Sequence, residues 1–198
     1  RATDYLRRGQ RPHTIFAANP EKNFSVPTDP DLYRVFSEAD LLLPDGIGMV
    51  WAARVLYDKR LERVPGSEFI FDLCRLAVRE DCGVFFYGAE EEVNRRSVEI
   101  LAERYTGLKV VGRANGFVKD AEMPGLIQKI NDSRAKILFV ALGSPKQERW
   151  YAYNQGALTH VRIVQGVGGT LDTITGKVKR APEFWCRHHM EWLYRLID

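Results

Sequence analysis

At 198 residues and 45% hydrophobic, the chain has enough apolar surface for one sizeable core and is read as a single domain over residues 1–198. A net charge of +3, from 29 Lys+Arg against 26 Asp+Glu, is a weak basic bias that does not by itself argue for nucleic acid, and none is expected as a partner; it fits an anionic small ligand or membrane surface. Cys74, Cys82 and Cys186 form no CxxC pair, which argues against a disulfide framework or zinc site and for a reducing cytoplasm.

No apolar run approaches the ~18 residues of a membrane span. The opening Arg1–Gln10 lacks the apolar centre of a signal peptide and reads as mid-helix, so a trimmed N-terminus is expected. In chain order, strands are expected at His13–Ala17, Leu41–Leu43, Val84–Tyr87, Leu108–Val111, Ile137–Leu142 and Arg162–Gln165. Helical patterns fall at roughly Asp31–Ser37, Gly46–Tyr57, Ser67–Arg79, Glu90–Tyr105, Ala121–Ser133 and Lys146–Ala157, with a last one over Pro182–Leu196. The alternation predicts an α/β fold, a parallel sheet flanked by helices, Rossmann-like but without a GxGxxG dinucleotide motif. Pro27–Pro30 and Gly112–Lys119 read as the least structured stretches.

In an open parallel sheet, ligands bind beyond the carboxyl ends of the strands, and five strand-to-helix junctions here have unusual compositions. After the first strand, Asn19 offers an amide to a ligand, although Asn and Pro20 also suit a turn. In Pro44-Asp45-Gly46-Ile47-Gly48, Asp45 is a helix N-cap or a general base, and the two glycines would admit a substrate close to the backbone. An aspartate at its reference pKa of ~3.9 is ionised at neutral pH.

Tyr87-Gly88-Ala89 turns tightly into a helix and reads as a floor for a nucleotide. The glutamates that follow suit the helix dipole and would repel a phosphate placed on them. In Gly143-Ser144-Pro145-Lys146-Gln147, Ser144 is expected to cap a helix with Pro145 as its first residue. Lys146 in that first turn opposes the dipole, and an anionic ligand would explain it. Finally, Gly166-Val167-Gly168-Gly169 bends sharply or touches a ligand, and Asp172 can accept from a sugar hydroxyl. The cations Lys177, Lys179 and Arg180 beyond it would neutralise a diphosphate or form a solvated basic loop.

Two patterns are set aside. Asp29-Pro30-Asp31 matches the DxD of metal-dependent transferases but opens a helix, so capping explains it. His188 and His189 are adjacent, not at the i,i+4 spacing of a zinc helix. No metal ligand is assigned.

Taken together and in order, Asn19-Pro-Glu-Lys, Leu43-Pro-Asp-Gly-Ile-Gly, Arg63-Val-Pro-Gly, Tyr87-Gly-Ala, Gly143-Ser-Pro-Lys-Gln-Glu, Gly166-Val-Gly-Gly-Thr-Leu-Asp, Lys179-Arg-Ala-Pro and Glu191-Trp-Leu-Tyr-Arg-Leu resemble the TagA/WecG/CpsF glycosyltransferases along nearly the whole chain. The resemblance implies transfer of N-acetylmannosamine, its uronic acid or a related hexose from a UDP-sugar to a polyprenyl-diphosphate-linked sugar. It implies an inverting reaction without metal or other cofactor, in the cytoplasm at the inner face of the cell membrane.

By the same resemblance, Asp45 is the catalytic base and Asn19, Arg63 and Gln147 are its active-site companions. It also makes the Gly168, Gly169 and Asp172 loop part of the nucleotide site, and from the junctions themselves Gly46, Gly88, Ala89, Lys146, Lys179 and Arg180 are expected to contact substrate. Family chains have a further stretch before Arg1 and a basic tail beyond Asp198, credited with membrane contact, so a 198-residue form is expected to be the poorer catalyst and membrane binder. Homo-oligomer formation is left open. Two other readings stand beside this one: a nucleotide-dependent oxidoreductase or epimerase, disfavoured by the missing GxGxxG, and a non-catalytic UDP-sugar-binding module.

Overall fold

The computed structural model describes residues 1–178. Six strands, β1 (His13–Ala18), β2 (Leu41–Pro44), β3 (Gly83–Gly88), β4 (Lys109–Ala114), β5 (Ile137–Ala141) and β6 (Ile163–Gly166), form one sheet in the order β2-β1-β6-β5-β3-β4. Every pairing is parallel, which bears out the α/β expectation. The helices are α1 (Ala2–Arg8), α2 (Lys22–Ser25), α3 (Pro30–Ser37), α4 (Ile47–Tyr57), α5 (Gly66–Arg79), α6 (Glu91–Arg104), α7 (Met123–Asp132), α8 (Lys146–Asn154) and α9 (Thr170–Ile174).

The strands are apolar on both faces because both faces are covered. Side chains alternate along each strand. Ile15, Val84, Phe86, Ile137, Phe139 and Ile163 therefore enter one core, with Ile70, Leu73 and Cys74 of α5, Leu101 of α6 and Leu171 of α9. Phe16, Phe85, Tyr87, Leu138, Val140 and Val164 enter the other, with Val35 and Phe36 of α3, Ile130 of α7, and Trp150 and Tyr151 of α8. Among the described residues, α4 is the one longer helix that contributes no buried residue to either.

Three expectations change. β4 continues through Gly112, Arg113 and Ala114, where an irregular stretch was expected. The pairing with β3 shifts register at Val84/Phe85, and a Cβ on Gly112 would lie 2.5 Å from the Phe85 ring. The glycine that looks like a loop residue lets a strand pass a buried aromatic. Ser144 does not cap α8: Pro145 holds the cap position without a side-chain hydrogen bond, and the Ser144 hydroxyl accepts from Lys22 Nζ at 2.5 Å. Asp45 does not cap α4 either, since Gly46 occupies that position at φ +98°, a value that favours glycine. The reading of Asp29 as a cap holds, because its carboxylate accepts from the Asp31 and Leu32 N–H groups.

Candidate active site

β6 enters the sheet between β1 and β5. From the carboxyl end of β1 the chain runs on to α3 on one face. From β6 it runs to α9 on the other. Connections that leave neighbouring strands toward opposite faces open a crevice at the carboxyl edge, the place where such sheets bind ligands. Asn19, Asp45, Lys146, Gln147, Gly168 and Gly169 follow β1, β2, β5 and β6, so all lie along this stretch of the edge.

Asp45 directly follows β2, and its N–H donates to Ala18 O at 2.9 Å, so the ladder with β1 holds its backbone. Its half-buried carboxylate accepts from the Gly66 N–H, at 3.3 Å, at the start of the fourteen-residue α5. The positive end of that helix favours a carboxylate. Residue 66 must be glycine, because a Cβ there would come within 2.9 Å of Ala17 Cβ. The Gly66 carbonyl in turn accepts from Gln165 Nε2 at 3.1 Å, so a chain of hydrogen bonds joins the end of β2 to β6. Arg63 is half-buried and adjoins Val64, whose N–H donates to Pro44 O at 3.0 Å. Arg63 and Asp45 thus flank one backbone bond.

Gln147 is buried, and its amide is used structurally. Oε1 accepts from the Gly168 N–H at 3.0 Å, and Nε2 donates to Glu148 Oε1 at 3.2 Å. A Cβ on Gly166 would sit 2.6 Å from Gln147 Nε2, so this glycine admits the glutamine. Gly168 itself, at φ +54°, has open space on its Cα. Asp172 stands in the first turn of α9, and Lys146 is exposed at the start of α8. Lys22 and Ser144 join the loops after β1 and β5 across β6.

Gly143, at φ +74°, likewise has open space on its Cα, whereas Gly46, Gly48 and Gly88 have protein neighbours close by. Pro20 packs 3.5 Å from a Cβ built on Gly46 and 3.3 Å from one on Gly48. Gly88, two strands or roughly 10 Å from β6, lies where a Cβ would strike the Ala141 backbone at 2.3 Å. Ala89 is bridged by Gly116, whose N–H donates to Ala89 O at 2.8 Å. The glutamates after it are engaged as well, Glu90 with Lys177 at 2.7 Å and Glu91 with Arg113 and Asn115. Lys179 and Arg180 lie outside the described residues, as do the helix expected at Pro182–Leu196 and the histidine pair.

Several buried acceptors at this edge stand out. Asn19 Oδ1, Glu148 Oε2 and Gln165 Oε1 have no hydrogen-bond partner among the described residues. An unmet buried acceptor costs about 1–3 kcal/mol, so a donor-rich ligand that reached them would be favoured. Glu148 and Gln165 stand within the fourth and fifth junctions but were given no role from the sequence, although a glutamine inside the apolar Ile163-Val-Gln-Gly strand was a readable signal. Among the described residues the thiols offer no rival nucleophile, since burial pushes Cys74 up to about 12 and Cys82 up to about 11.

Comparison with known proteins places the chain in a family. The pattern of the Glycosyl transferase WecG/TagA/CpsF family matches residues 1–198. An N-acetylglucosaminyldiphosphoundecaprenol N-acetyl-beta-D-mannosaminyltransferase of Bacillus spizizenii is 36% identical over 183 residues, covering 92% of this chain and 70% of the relative. A protein of the same name from Bacillus subtilis is 33% identical over the same shares. The chain belongs to the WecG/TagA/CpsF family of glycosyltransferases.

Proposed function

We propose that this glycosyltransferase moves N-acetylmannosamine, its uronic acid or a related hexose from a UDP-sugar to a polyprenyl-diphosphate-linked sugar, with inversion and without a metal. It works in the cytoplasm at the inner face of the membrane. The observation that carries the chemistry is the Asp45 carboxylate, fixed at the crevice by the β1–β2 ladder and by the Gly66 N–H. Support for the substrate class comes from the two Bacillus relatives, named as transferases that act on a diphosphoundecaprenol-linked sugar.

In this reading Asp45 takes the proton of the acceptor hydroxyl while that oxygen bonds to the anomeric carbon of the donor. The bond from that carbon to the UDP oxygen breaks, and UDP leaves with the electron pair. A negative diphosphate must then be met by cations and dipoles. Lys146 and Arg63 are the cations assigned to this task, with Lys179 and Arg180 as candidates outside the described residues. The Gly168 N–H is already held by Gln147. The Gly168-Gly169 loop therefore offers a ligand its bare Cα surface, and Gln147 supports the loop from below. Asn19, whose Oδ1 lacks a partner, and Asp172 are the groups assigned to sugar or ribose hydroxyls.

The test is a panel of UDP-sugars incubated with a synthetic polyprenyl-diphosphate sugar. Transfer with an N-acetylmannosamine-type donor and a product of inverted anomeric configuration is expected. UDP binding without transfer to any acceptor would favour the non-catalytic module instead.

A further inference from the structure

The segment of residues 45–63 leaves the sheet at Pro44 and returns beside it, because the Val64 N–H donates to Pro44 O at 3.0 Å. Between these points lie α4 and a short return. Val55, Leu56 and Tyr57 follow one another at the end of α4 and are 75%, 69% and 72% exposed. Consecutive helical residues point about 100° apart, so these three cover more than half the circumference. The end of α4 therefore stands clear of the body as a prong. Trp51 is 68% exposed one turn earlier, and Leu61 is exposed on the return.

A surface helix normally buries one apolar stripe and turns polar residues outward. Here the exposed side is the apolar one. At the tip, Asp58 is paired with Arg54 at 3.1 Å, while Lys59 and Arg60 are exposed and make no ion pair among the described residues. Aliphatic residues with Trp, Tyr and unneutralised cations are the composition that settles at the headgroup level of an anionic bilayer. A second copy of the chain is a poorer occupant, because a protein interface buries one face, whereas the end of the prong is apolar over more than half its circumference and carries the exposed cations Lys59 and Arg60 at its tip.

We infer that residues 47–61 dip into the surface of an anionic phospholipid membrane and so present Asp45, at the root of the prong, to a sugar carried on a membrane lipid. This rests on the proposed lipid-linked acceptor for its purpose but not for its test. A prong pinned at both ends beside the base holds the reaction centre at a fixed height above the headgroups.

The 198-residue chain is sedimented with vesicles of phosphatidylglycerol and, separately, phosphatidylcholine. Binding to the first and little to the second is expected, weakening as salt rises. Lys59→Gln with Arg60→Gln should lower binding to anionic vesicles roughly 25-fold, about fivefold per cation. Val55→Ser with Leu56→Ser should lower it about tenfold or more. Both pairs are exposed, so melting should not change. Hydrogen exchange across 47–61 should be fast in solution and slow on vesicles. Unchanged vesicle binding in both variants, or slow exchange there before vesicles are added, overturns the inference. Sugar transfer to a short-chain, water-soluble acceptor separates the two proposals. Its persistence in a chain that ignores vesicles leaves the transferase reading standing and removes the prong, and vesicle binding without any transfer does the reverse.

Discussion

At the amino edge of the sheet, one carboxylate has every donor it can use. Asp40 accepts from Arg11 at 2.6 and 3.0 Å, from His13 Nδ1 at 2.8 Å and from the Thr14 N–H at 3.0 Å, and Tyr5 stacks on His13 with ring centroids 4.1 Å apart. At the carboxyl edge, about one strand length away, Asn19 Oδ1, Glu148 Oε2 and Gln165 Oε1 have no partner among the described residues. Only there does the Cα of a positive-φ glycine such as Gly168 face open space after a central strand. The difference separates holding from acting. Saturated polar groups stabilise a fold and leave nothing over for a ligand, whereas unmet ones store a preference for whatever completes them. A cavity of about 440 Å³ lined by Arg11, Asp40, Tyr151 and Gln155 opens at the amino edge, but its floor is this closed network.

The contrast is broken most directly at Asp45. Asp45→Asn retains an oxygen to accept the Gly66 N–H but cannot take a proton. Turnover should fall by about 10²–10⁴, or roughly 3–5 kcal/mol of barrier, with melting temperature and UDP affinity nearly unchanged. A near-normal rate at saturating donor and acceptor would remove Asp45 from the chemistry. Asp40→Ala should do the opposite, lowering stability by about 1–3 kcal/mol in urea titration and leaving kcat alone. Loss of rate at constant stability there would erase the distinction between the edges.

Acid sharpens the same point. Burial opposes ionisation of Asp40, but Arg11, His13 and the Thr14 N–H outweigh it and hold the carboxyl below the usual carboxylate range. Such a group contributes stability that is complete above its unfolded value of ~3.9 and disappears as pH falls through the lower folded value. Wild-type stability should therefore drop more steeply below about pH 4 than that of Asp40→Asn, as followed by thermal melts. Lys22→Met removes the exposed bond to Ser144, and stability should shift by less than about 1 kcal/mol. KM for the donor is the sensitive reading, because that bond ties the loops on either side of β6. The smallest expected effect is none: EDTA should leave transfer unchanged, and activity lost to EDTA and restored by magnesium would count against a metal-independent reaction.

Strands were legible wherever residues are apolar on both faces, as in Ile137-Leu-Phe-Val-Ala, because no other element of that length carries such a pattern. Their carboxyl ends pointed to the crevice by topology alone. What escaped was contact at a distance in sequence. Asp45 meets Gly66, Lys22 meets Ser144 and Gln165 meets Gly66, and no local pattern announces a partner 21, 122 or 99 residues away. Gly112 was misread for the same reason, since it makes room for Phe85 and such a close approach imitates a loop in the sequence. Gly88 does turn, at φ +121°, and its close approach to Ala141 comes in addition. α9, at five residues, is too short for periodicity to reveal.

The late entry of β6 has a consequence for how the chain is made. Until Ile163–Gly166 has been synthesised, β1 and β2 have no hydrogen-bonded link to β5, β3 and β4, because β6 alone bridges the two groups. At about 5–20 residues per second, the first strand pair waits on the order of ten seconds for the strand that joins it to the rest. During that interval one side of β1 is an open edge, the kind of surface that pairs with the wrong chain. The nascent protein thus makes its aggregation hazard at β1 more than a hundred residues before the strand that cures it, so chaperone engagement of early β1–β2 intermediates should fall sharply once ribosomes pass β6.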